Sequence, residues 1–401
     1  RSTLSPSSAA SDVYKRQDFV DMLKLRASYG IGGNIGRNTA PYLIASYYDS
    51  SLVDGMAGSV NTPPNKDIRW EKTTTVNVGV DFALFRHRLS GTIEYYNKYS
   101  VDLLAAINGS PTQGFGYTTL MTNNGKMVNR GVEITLSGEI IRQKDFSWNA
   151  SLLYAFNRNK VKHISVQPSL WDSRISMPTS YPMVGKPLYG IYAYKWAGLN
   201  ENGDPQVYDA ENNVTSGPAR DYHALVYCGT TVPIHNASLT NVLRYKGFEF
   251  SAMLILDAGH KLRSSNIPSI NMSNGRITST AKGIVDRWTQ PGDVTDVPRL
   301  LFSNDTENFN THRTELYRYS DLFVYDASNI RLSNISLAYR VPAHWCKKIS
   351  LSGARLQFNV ENVATFAFDS KANYDLGGKV KPNYVWGLYL NCLLYTSPSP
   401  R

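Results

Sequence analysis

The chain has 401 residues, of which 42% are hydrophobic and 12% aromatic, and its formal net charge is +10. No stretch approaches the ~18 consecutive apolar residues of a spanning helix, and the mean hydropathy is only −0.32, so a helical membrane protein is excluded. The positive charge is dispersed, with no run of about five like charges, and therefore does not predict a nucleic-acid partner.

The two ends of the chain differ from the rest. The stretches "RSTLSPSSAASDVYKRQ" and "CLLYTSPSPR" have no periodicity and resemble translated sequencing-adapter read-through. We expect residues 1–17 and 392–401 to be non-native tails, which leaves 18–391 as the native part. Without the tails, which carry four basic residues and one acidic residue, the net charge falls from +10 to +7.

A glycine-rich segment, "LRASYGIGGNIG" at 25–36, spans the end of the first predicted strand. A dinucleotide-binding fingerprint needs G-x-G-x-x-G between a strand and a helix. Gly30 and Gly32 fit, but Ile35 occupies the third glycine position, and the next residues, "RNTAPYLIASYYDSS", do not indicate a helix. The glycines predict a turn at a strand end and no cofactor site.

Strict alternation of apolar and polar residues dominates the remainder. In "TVNVGVDFAL" the apolar positions are Val76, Val78, Val80, Phe82 and Leu84, which is the period-2 pattern of a strand with two unlike faces. The same pattern recurs along the chain. It predicts ten strands, at about 19–29, 70–85, 89–104, 127–141, 146–160, 236–246, 248–258, 328–340, 352–364 and 383–391. Between Leu332 and Ile335 the phase slips by one residue, which we interpret as a β-bulge, with a strand start as the alternative.

The predicted connections alternate in length. Tight turns lie at Arg86–Arg88, Arg142–Asp145 and Lys246–Gly247, and a slightly longer one at "VPAHWCKK". Long segments lie near 104–126, 161–235, 259–327 and 365–382. Long strands with short turns at one end and long loops at the other are typical of an outer-membrane barrel. A soluble sandwich more often has strands of about 5 or 6 residues and short connections at both ends.

In a barrel of this kind one face of the sheet contacts lipid. We expect the convex face to carry eight residues, Val76, Val78, Val80, Val132, Ile134, Leu136, Leu152 and Tyr154. Aromatic residues near strand ends would form interfacial girdles or, alternatively, fill an ordinary β core; they include Tyr95, Tyr96, Tyr99, Trp148, Tyr154, Tyr384 and Trp386.

The sequence lacks the common catalytic and metal-binding patterns. G-x-S-x-G, H-E-x-x-H and C-x-x-C motifs are absent, so we predict neither an enzyme nor a metal or cofactor site. Cys228 and Cys346 are isolated, and His344 beside Cys346 indicates a solvated turn. Glu71 in "RWEK" lacks a defined second carboxylate and is expected at a strand entrance.

The segment "NENGDPQVYD" holds Asn202, Asp204 and Asp209. The side-chain oxygens of these three residues resemble the ligands of a calcium loop only loosely, because an EF-hand-type loop needs a glutamate at its twelfth position. A loop turn is the preferred interpretation.

Several long blocks, in order, support a family assignment. They are "IRWEKTTTVNVGVDFALFRHRLSGTIEYYNKYSVDLL", "NRGVEITLSGEIIRQKDFSWNASLLYAFNRNKV", "GKPLYGIYAYKWAGLNENGDPQVYD", "DRWTQPGD" and "SNIRLSNISLAYRVP". From Phe19 to Asn391 the chain resembles the C-terminal barrel half of SusC/RagA-type TonB-dependent outer-membrane transporters. The resemblance implies an all-β, antiparallel transmembrane barrel, of which this chain supplies about ten strands out of roughly 22.

The resemblance also implies a function and partners. Such a transporter imports glycans or peptides across the outer membrane of a Gram-negative bacterium, is energised by the TonB complex, and works with a SusD-like surface lipoprotein as a lid. The plug, the TonB-interacting segment and the first half of the barrel are not visible, so we expect a fragment. The alternative hypothesis is a soluble β-rich carbohydrate-binding or adhesion module, whose apolar face must be buried.

One long segment, "SLWDSRISMPTSYPMVGKPLYGIYAYKW", carries the candidate contact residues. The side chains expected to meet substrate or the lid are Trp171, Tyr181, Tyr189, Tyr192 and Trp196, with Tyr194 beside them. Flat amphipathic rings suit stacking on sugars or packing against a protein lid. The other interpretation is that these aromatics brace the loop against the barrel rim.

Overall fold

The computed structural model describes residues 19–35, 42–49, 54–62, 64–108, 119–166, 173–217, 221–272, 280–302, 311–348, 351–376 and 382–392. The predicted tail 1–17 lies outside the described residues. Of the tail predicted at 392–401 only Cys392 is described, as the last residue of the final strand, where it pairs with Leu351.

Strands make up most of the secondary structure. They are β1 (Val20–Asn34), β2 (Ile44–Asp49), β3 (Met56–Thr62), β4 (Glu71–Leu84), β5 (Leu89–Asn108), β6 (Thr119–Arg142), β7 (Phe146–His163), β8 (Gly190–Tyr194), β9 (Trp196–Leu199), β10 (Pro205–Tyr208), β11 (Val214–Thr215), β12 (Leu225–Thr230), β13 (His235–Tyr245), β14 (Phe248–Ala258), β15 (Lys261–Arg263), β16 (Asn271–Met272), β17 (Leu301–Phe302), β18 (Val324–Asp326), β19 (Asn329–Arg340), β20 (Leu351–Ala367) and β21 (Asn383–Cys392). The α-helices are α1 (Ser173–Ser176), α2 (Thr311–Arg318), α3 (Ala343–Lys348) and α4 (Asn373–Leu376), and short 3₁₀ turns lie at Tyr222–Ala224, Lys282–Asp286, Asp321–Phe323 and Ser370–Ala372.

One antiparallel sheet of ten strands organises the molecule. Its strand order is β1-β4-β5-β6-β7-β13-β14-β19-β20-β21, so each strand pairs with the next wall strand along the chain. All ten predicted strands are confirmed, because the apolar–polar alternation that predicts them is a local property of each strand. Among the described residues the sheet is an open, partial barrel wall whose two edges are β1 and β21.

Three strand boundaries differ clearly from the prediction. The segment 104–126 was expected to be a long loop, but β5 runs to Asn108 and β6 begins at Thr119. The glycines at 30–33 were expected to form a turn, but β1 continues through them to Asn34, in register with β4. The ring of Trp70 occupies the space above Gly33, where an added Cβ would lie 2.8 Å from its Cε3 atom. The absence of a side chain at Gly33 therefore allows the Trp70 ring to pack closely against the backbone.

The register of the sheet aligns the apolar residues of successive strands. Leu25 pairs with Val80, Val80 with Ile93, Ile93 with Ile134, and Ile134 with Tyr154. Partners in register share a face, and the other predicted lipid-facing residues belong to the same set of rows. All eight therefore lie on one face of the wall.

The opposite face is polar. The Arg26 guanidinium pairs with Asp81 at 2.7 Å and with Glu94 at 3.5 Å. Near the other edge Glu249 accepts hydrogen bonds from Arg244 at 2.7 Å and Arg355 at 3.0 Å. The wall thus separates an apolar side from a charged side, as a lipid-facing barrel requires.

The apolar face is not buried. From one edge to the other it carries exposed side chains, including Leu25, Val78, Ile93, Leu254, Leu337, Leu356 and Trp386. The indole of Trp386 is 73% exposed. A soluble sandwich would pack a second layer on such a face, so this exposure argues against the soluble-module alternative. Within the described ranges, none of the helices has the length and apolar composition of a membrane span.

One predicted girdle residue faces the other way. Tyr95 and Tyr99 belong to the apolar rows, but Tyr96 is in register with Asn77 and Gly131 on the polar face, where it is nearly buried. An added Cβ on Gly131 would collide with the Tyr96 ring and hydroxyl. Tyr96 therefore packs over the polar face of β6 and cannot join a girdle.

The short connections all lie at one end of the wall. The β4–β5 turn contains Phe85, Arg86 and His87 with φ of 58°, 58° and 61°, and the β13–β14 turn contains Lys246 with φ of 52°. The predicted bulge is confirmed in β19, where Leu332 and Asn334 pair with both neighbouring strands and the ladder skips the intervening residue. The long connections lie at the opposite end, as the alternation of lengths predicts.

Most of the buried core lies in these long connections. The two between β7 and β13 and between β14 and β19 fold together into what we call the loop unit, residues 173–217, 221–234, 259–272, 280–302 and 311–328. One apolar cluster joins Tyr192, Tyr194, Val207, Ala224, Leu225 and Leu316, and a second joins Ile270, Tyr317 and Phe323. Residues of both connections meet in the first cluster, so neither connection has a complete core alone.

Candidate functional site

The predicted contact residues lie in different environments within the loop unit. Trp171 lies outside the described residues. Tyr181 is buried, and its backbone carbonyl accepts a hydrogen bond from Arg174 Nε at 3.4 Å. Tyr189, immediately before β8, is 46% exposed. Of the described candidates, Tyr189 offers the most accessible ring.

Tyr192 lies at the centre of the apolar core. Its side chain is 1% exposed, and its hydroxyl accepts a hydrogen bond from the Met183 amide at 3.2 Å. The Arg174 guanidinium lies 5.9 Å from the ring centroid. Burial raises the pKa of the Tyr192 phenol. In this structure Tyr192, like Tyr194, braces the loop unit, and a contact with substrate or lid stays a prediction.

Trp196 joins the two apolar clusters. Its amide donates to Asp321 Oδ1 at 2.9 Å, and its indole Nε1 donates to Asp296 Oδ1 at 3.0 Å. Its ring lies 5.9 Å from that of Tyr317, at an interplanar angle of 56°. Trp196 is half-buried, so part of its ring remains accessible at the junction.

A charged network fixes the two connections to each other. Asp204 accepts hydrogen bonds from Arg299, through Nε at 3.1 Å and Nη2 at 2.9 Å, and a further bond from Arg313 Nε. The Arg313 guanidinium also donates to Asn271 Oδ1 at 2.7 Å and to the Arg299 carbonyl at 2.8 Å. Burial lowers the pKa of Arg313, and the Asp204 carboxylate opposes that effect.

This network also explains the segment that loosely resembles a calcium loop. Asp204 is committed to arginines, and Asp209 accepts hydrogen bonds from the amides of Glu211 at 3.0 Å and Asn213 at 2.8 Å, which closes a turn. Across the described ranges, no group of three or more His, Cys, Asp or Glu side chains could hold a metal ion. A loop turn is the better description.

The remaining sequence candidates have structural roles. Glu71 begins β4 and accepts hydrogen bonds from the Leu104 amide at 2.9 Å and from Asn34 Nδ2 at 2.8 Å, as expected of a strand entrance. Cys228 and Cys346 are both free thiols. The prediction of a solvated His344–Cys346 pair is wrong for Cys346, because α3 forms at this position and buries its thiol.

A cavity of about 470 Å³ opens between β15 and the end of α2. Its lining includes Arg263, Ser264, Ser269, Arg318 and Tyr319. The Arg263 guanidinium donates to the carbonyls of Tyr192 at 2.6 Å and of Arg318 and Ser320 at 3.2 Å each. Both guanidinium carbons lie near the Tyr319 ring, at 5.8 Å for Arg263 and 5.9 Å for Arg318.

Sequence reasoning missed these arginines. In "THRTELYRYS" Arg313 and Arg318 stand in no recognisable motif, and their partners lie far away in the chain. Asp204 and Arg313, for example, are separated by 109 residues. Only the fold brings these groups together.

Comparisons with known proteins agree with this architecture. A family model described as "TonB dependent receptor-like, beta-barrel" matches residues 1–363. TonB-dependent receptor P3 of Formosa agariphila is 26% identical over 407 residues, covering 95% of this chain and 39% of that protein. TonB-dependent receptor SusC of Bacteroides thetaiotaomicron is 26% identical over 361 residues, covering 85% of this chain and 34% of that protein.

Solved structures show the same fold. The RagAB peptide transporter superposes with a TM-score of 0.75 at 22% identity, over 94% of this chain and 42% of that chain. The chain therefore spans less than half the length of the relatives it matches. Because the curated relatives are named as receptors, the prediction that the chain is not an enzyme is confirmed. Together with the partial barrel wall, these matches confirm the predicted resemblance, and the chain belongs to the family of TonB-dependent receptor-like β-barrels.

Proposed function

We propose that this chain forms part of the barrel wall and surface loops of an outer-membrane importer for glycans or peptides. The observation that carries the proposal is the continuous exposed apolar face across ten strands, with charged side chains on the opposite face. Lipid is the environment in which such a face is stable, since only paired backbone crosses the hydrocarbon. The family supports TonB as the energy source for the complete protein.

We further propose that the short turns face the periplasm and the loop unit faces the cell exterior. In barrels of this type the short turns are periplasmic and the long loops extracellular. A folded loop unit at that end is suited to capture substrate or to contact a SusD-like lipoprotein. The similarity to a structure named as a peptide transporter supports such cargo.

Tyr189 is the described aromatic residue best placed for this contact. Its ring is exposed, whereas its backbone carbonyl accepts a hydrogen bond from the Thr231 amide at 2.9 Å. Because the backbone fixes this position, the ring can be removed without disturbing the core. In the full-length importer, Tyr189→Ala should therefore weaken cargo capture or lid association while barrel assembly is unchanged.

Two experiments test the proposal. Removing the full-length gene from its host should abolish growth on at least one glycan or peptide source, and affinity purification from outer membranes should recover a surface lipoprotein. A peptide tag inserted at the exposed Asn212 turn should be reached by antibody on intact cells. Unimpaired growth on every such source, or a tag reached only after permeabilisation, would contradict the proposal.

A further inference from the structure

The cavity between β15 and α2 has an unusual charge distribution. Arg263 and Arg318 both line it, and no carboxylate oxygen of the described residues lies within the 4.0 Å of an ion pair with either guanidinium. Two acidic groups lie near the lining: Asp375 accepts hydrogen bonds from the amide and hydroxyl of Ser265, and Asp321, whose charge acts on Arg263, accepts one from the Trp196 amide. Two positive charges therefore face one cavity without an ion-pair partner.

The positive charge of Arg318 acts on the Arg263 guanidinium. Burial lowers the pKa of Arg263, and the charge of Arg318 adds to this lowering. Both lie against the Tyr319 ring, whose face attracts cations but carries no net charge. Hydrogen bonds to backbone carbonyls hold Arg263 in place. The Asp321 carboxylate raises the pKa of Arg263 but forms no ion pair with it among the described residues. An anion in the cavity would relieve the repulsion between the two groups.

The chemistry of the lining restricts the anion. Guanidinium groups present planar forks of donors that match a carboxylate, and the lining also includes the hydroxyl residues Ser264 and Thr314. The volume lies within the ~300–1,000 Å³ of small-molecule sites. We propose that this cavity binds a carboxylate-bearing ligand through Arg263 and Arg318.

The inference rests on the proposed function, because it names the chemistry of the cargo that the loop unit would capture. Two sources of the group are compatible with the cavity, the C-terminal carboxylate of a peptide and the uronic acid of an acidic glycan. Binding is measured on the chain in detergent without any uptake, so the inference and the importer function can fail separately.

The experiment compares matched acids and neutral analogues by ligand-observed NMR and calorimetry. N-acetyl-alanyl-alanine is tested against its C-terminal amide, and galacturonate against galactose. We expect at least one acid to bind at least tenfold more tightly than its neutral analogue, and the tighter acid identifies the source. Equal binding of acid and neutral analogue in both pairs would overturn the proposal. Displacement of the acid by an equal concentration of inorganic phosphate would also overturn it.

Arg318→Gln is the informative variant. The hydrogen bond from Arg263 to Arg318 ends on the backbone carbonyl of Arg318, so a change of the Arg318 side chain leaves this bond available. Affinity for the acid should fall at least fivefold. Arg287→Gln is the matched control, because Arg287 is an exposed arginine of the loop unit that does not line the cavity. Unchanged affinity in Arg318→Gln, or an equal loss in Arg287→Gln, would refute the assignment.

Discussion

Removing the Asp204 carboxylate should loosen the loop unit while leaving the barrel wall intact. In Asp204→Ala the Arg313 side chain, 3% exposed, loses the only carboxylate described as pairing with it, and Arg299 loses the same partner. Breaking a buried ion pair by removing one partner costs about 3–5 kcal/mol. Arg313 keeps its bonds to Asn271 and to the Arg299 carbonyl, and the Asp204 side chain is 17% exposed. We therefore expect the lower end, about 3 kcal/mol.

Hydrogen exchange of the detergent-solubilised chain measures this effect. A loss of about 3 kcal/mol lowers amide protection roughly 100-fold wherever exchange requires opening of the loop unit, since each 1.4 kcal/mol is tenfold. The loss should appear in β8–β10 and α2, whereas amides of β5–β7 should keep their protection.

Asp209→Ala is the matched control. It removes a carboxylate from the same segment, but one whose hydrogen-bond donors all belong to its own exposed turn, so it should cost about 1 kcal/mol. If Asp204→Ala lowers protection no more than Asp209→Ala does, the network does not hold the two connections together. The double variant Asp204→Leu/Arg313→Met removes both charges and should be milder than Asp204→Ala.

Three further predictions concern the wall and one thiol. Leu254→Arg, on the exposed apolar face near the middle of β14, should destabilise insertion into lipid vesicles by about 2–4 kcal/mol. Ser251→Arg, on the polar face of the same strand, should insert normally. Equal insertion of the two variants would contradict the assignment of the faces. Gly131→Ala should impair folding, because the added Cβ would lie 2.5 Å from a backbone oxygen of β7. In Gly138→Ala the added Cβ would have no neighbouring atom closer than 3.8 Å, so this control variant should fold. Heat-modifiable gel mobility measures folding in both. Burial raises the pKa of Cys228 to about 11 from 9.0, so its alkylation at pH 8 should be roughly 100-fold slower in the folded than in the unfolded chain and should accelerate up to about pH 11. The neutral thiol is the form that folding favours, so this contribution to stability is complete below pH 9.0 and is lost as the pH rises towards 11. Peptide-resolved mass spectrometry measures the alkylation rate of Cys228 in the folded and in the unfolded chain. Equal rates in the two states would contradict the raised pKa of this thiol.

The wall is predictable because its information is local. Each strand shows its period-2 pattern within about ten residues, and the short turns fix the register of neighbouring strands. The same pattern assigns Val80, Ile134 and Tyr154 to one face without knowledge of the strand pairing. The predicted start of β6 was wrong because the apolar–polar alternation weakens there: polar residues such as Asn123 and Asn124 belong to the strand but interrupt its pattern.

The candidate site is much less predictable. The aromatic run around Tyr192 marks an important segment, but the sequence does not say whether a ring points to solvent or to a core. That depends on Leu316, which packs in the same cluster although it lies in the other connection. The position of the cavity arginines likewise depends on contacts between segments that only the fold brings together.

The division of the loop unit between two connections has a consequence for the order of assembly. Residues that meet in its core, such as Leu225 and Leu316, belong to segments separated by the β13–β14 hairpin. While that hairpin is unformed, bringing the two segments together carries the entropic penalty of closing a long flexible chain. Once the eleven-residue strands β13 and β14 pair, their free ends, at His235 and Ala258, start both segments from adjacent points. The loop unit is therefore expected to fold late, after the hairpin has formed, so a defect in the wall would disable the loop unit even where no residue of the loop unit is changed.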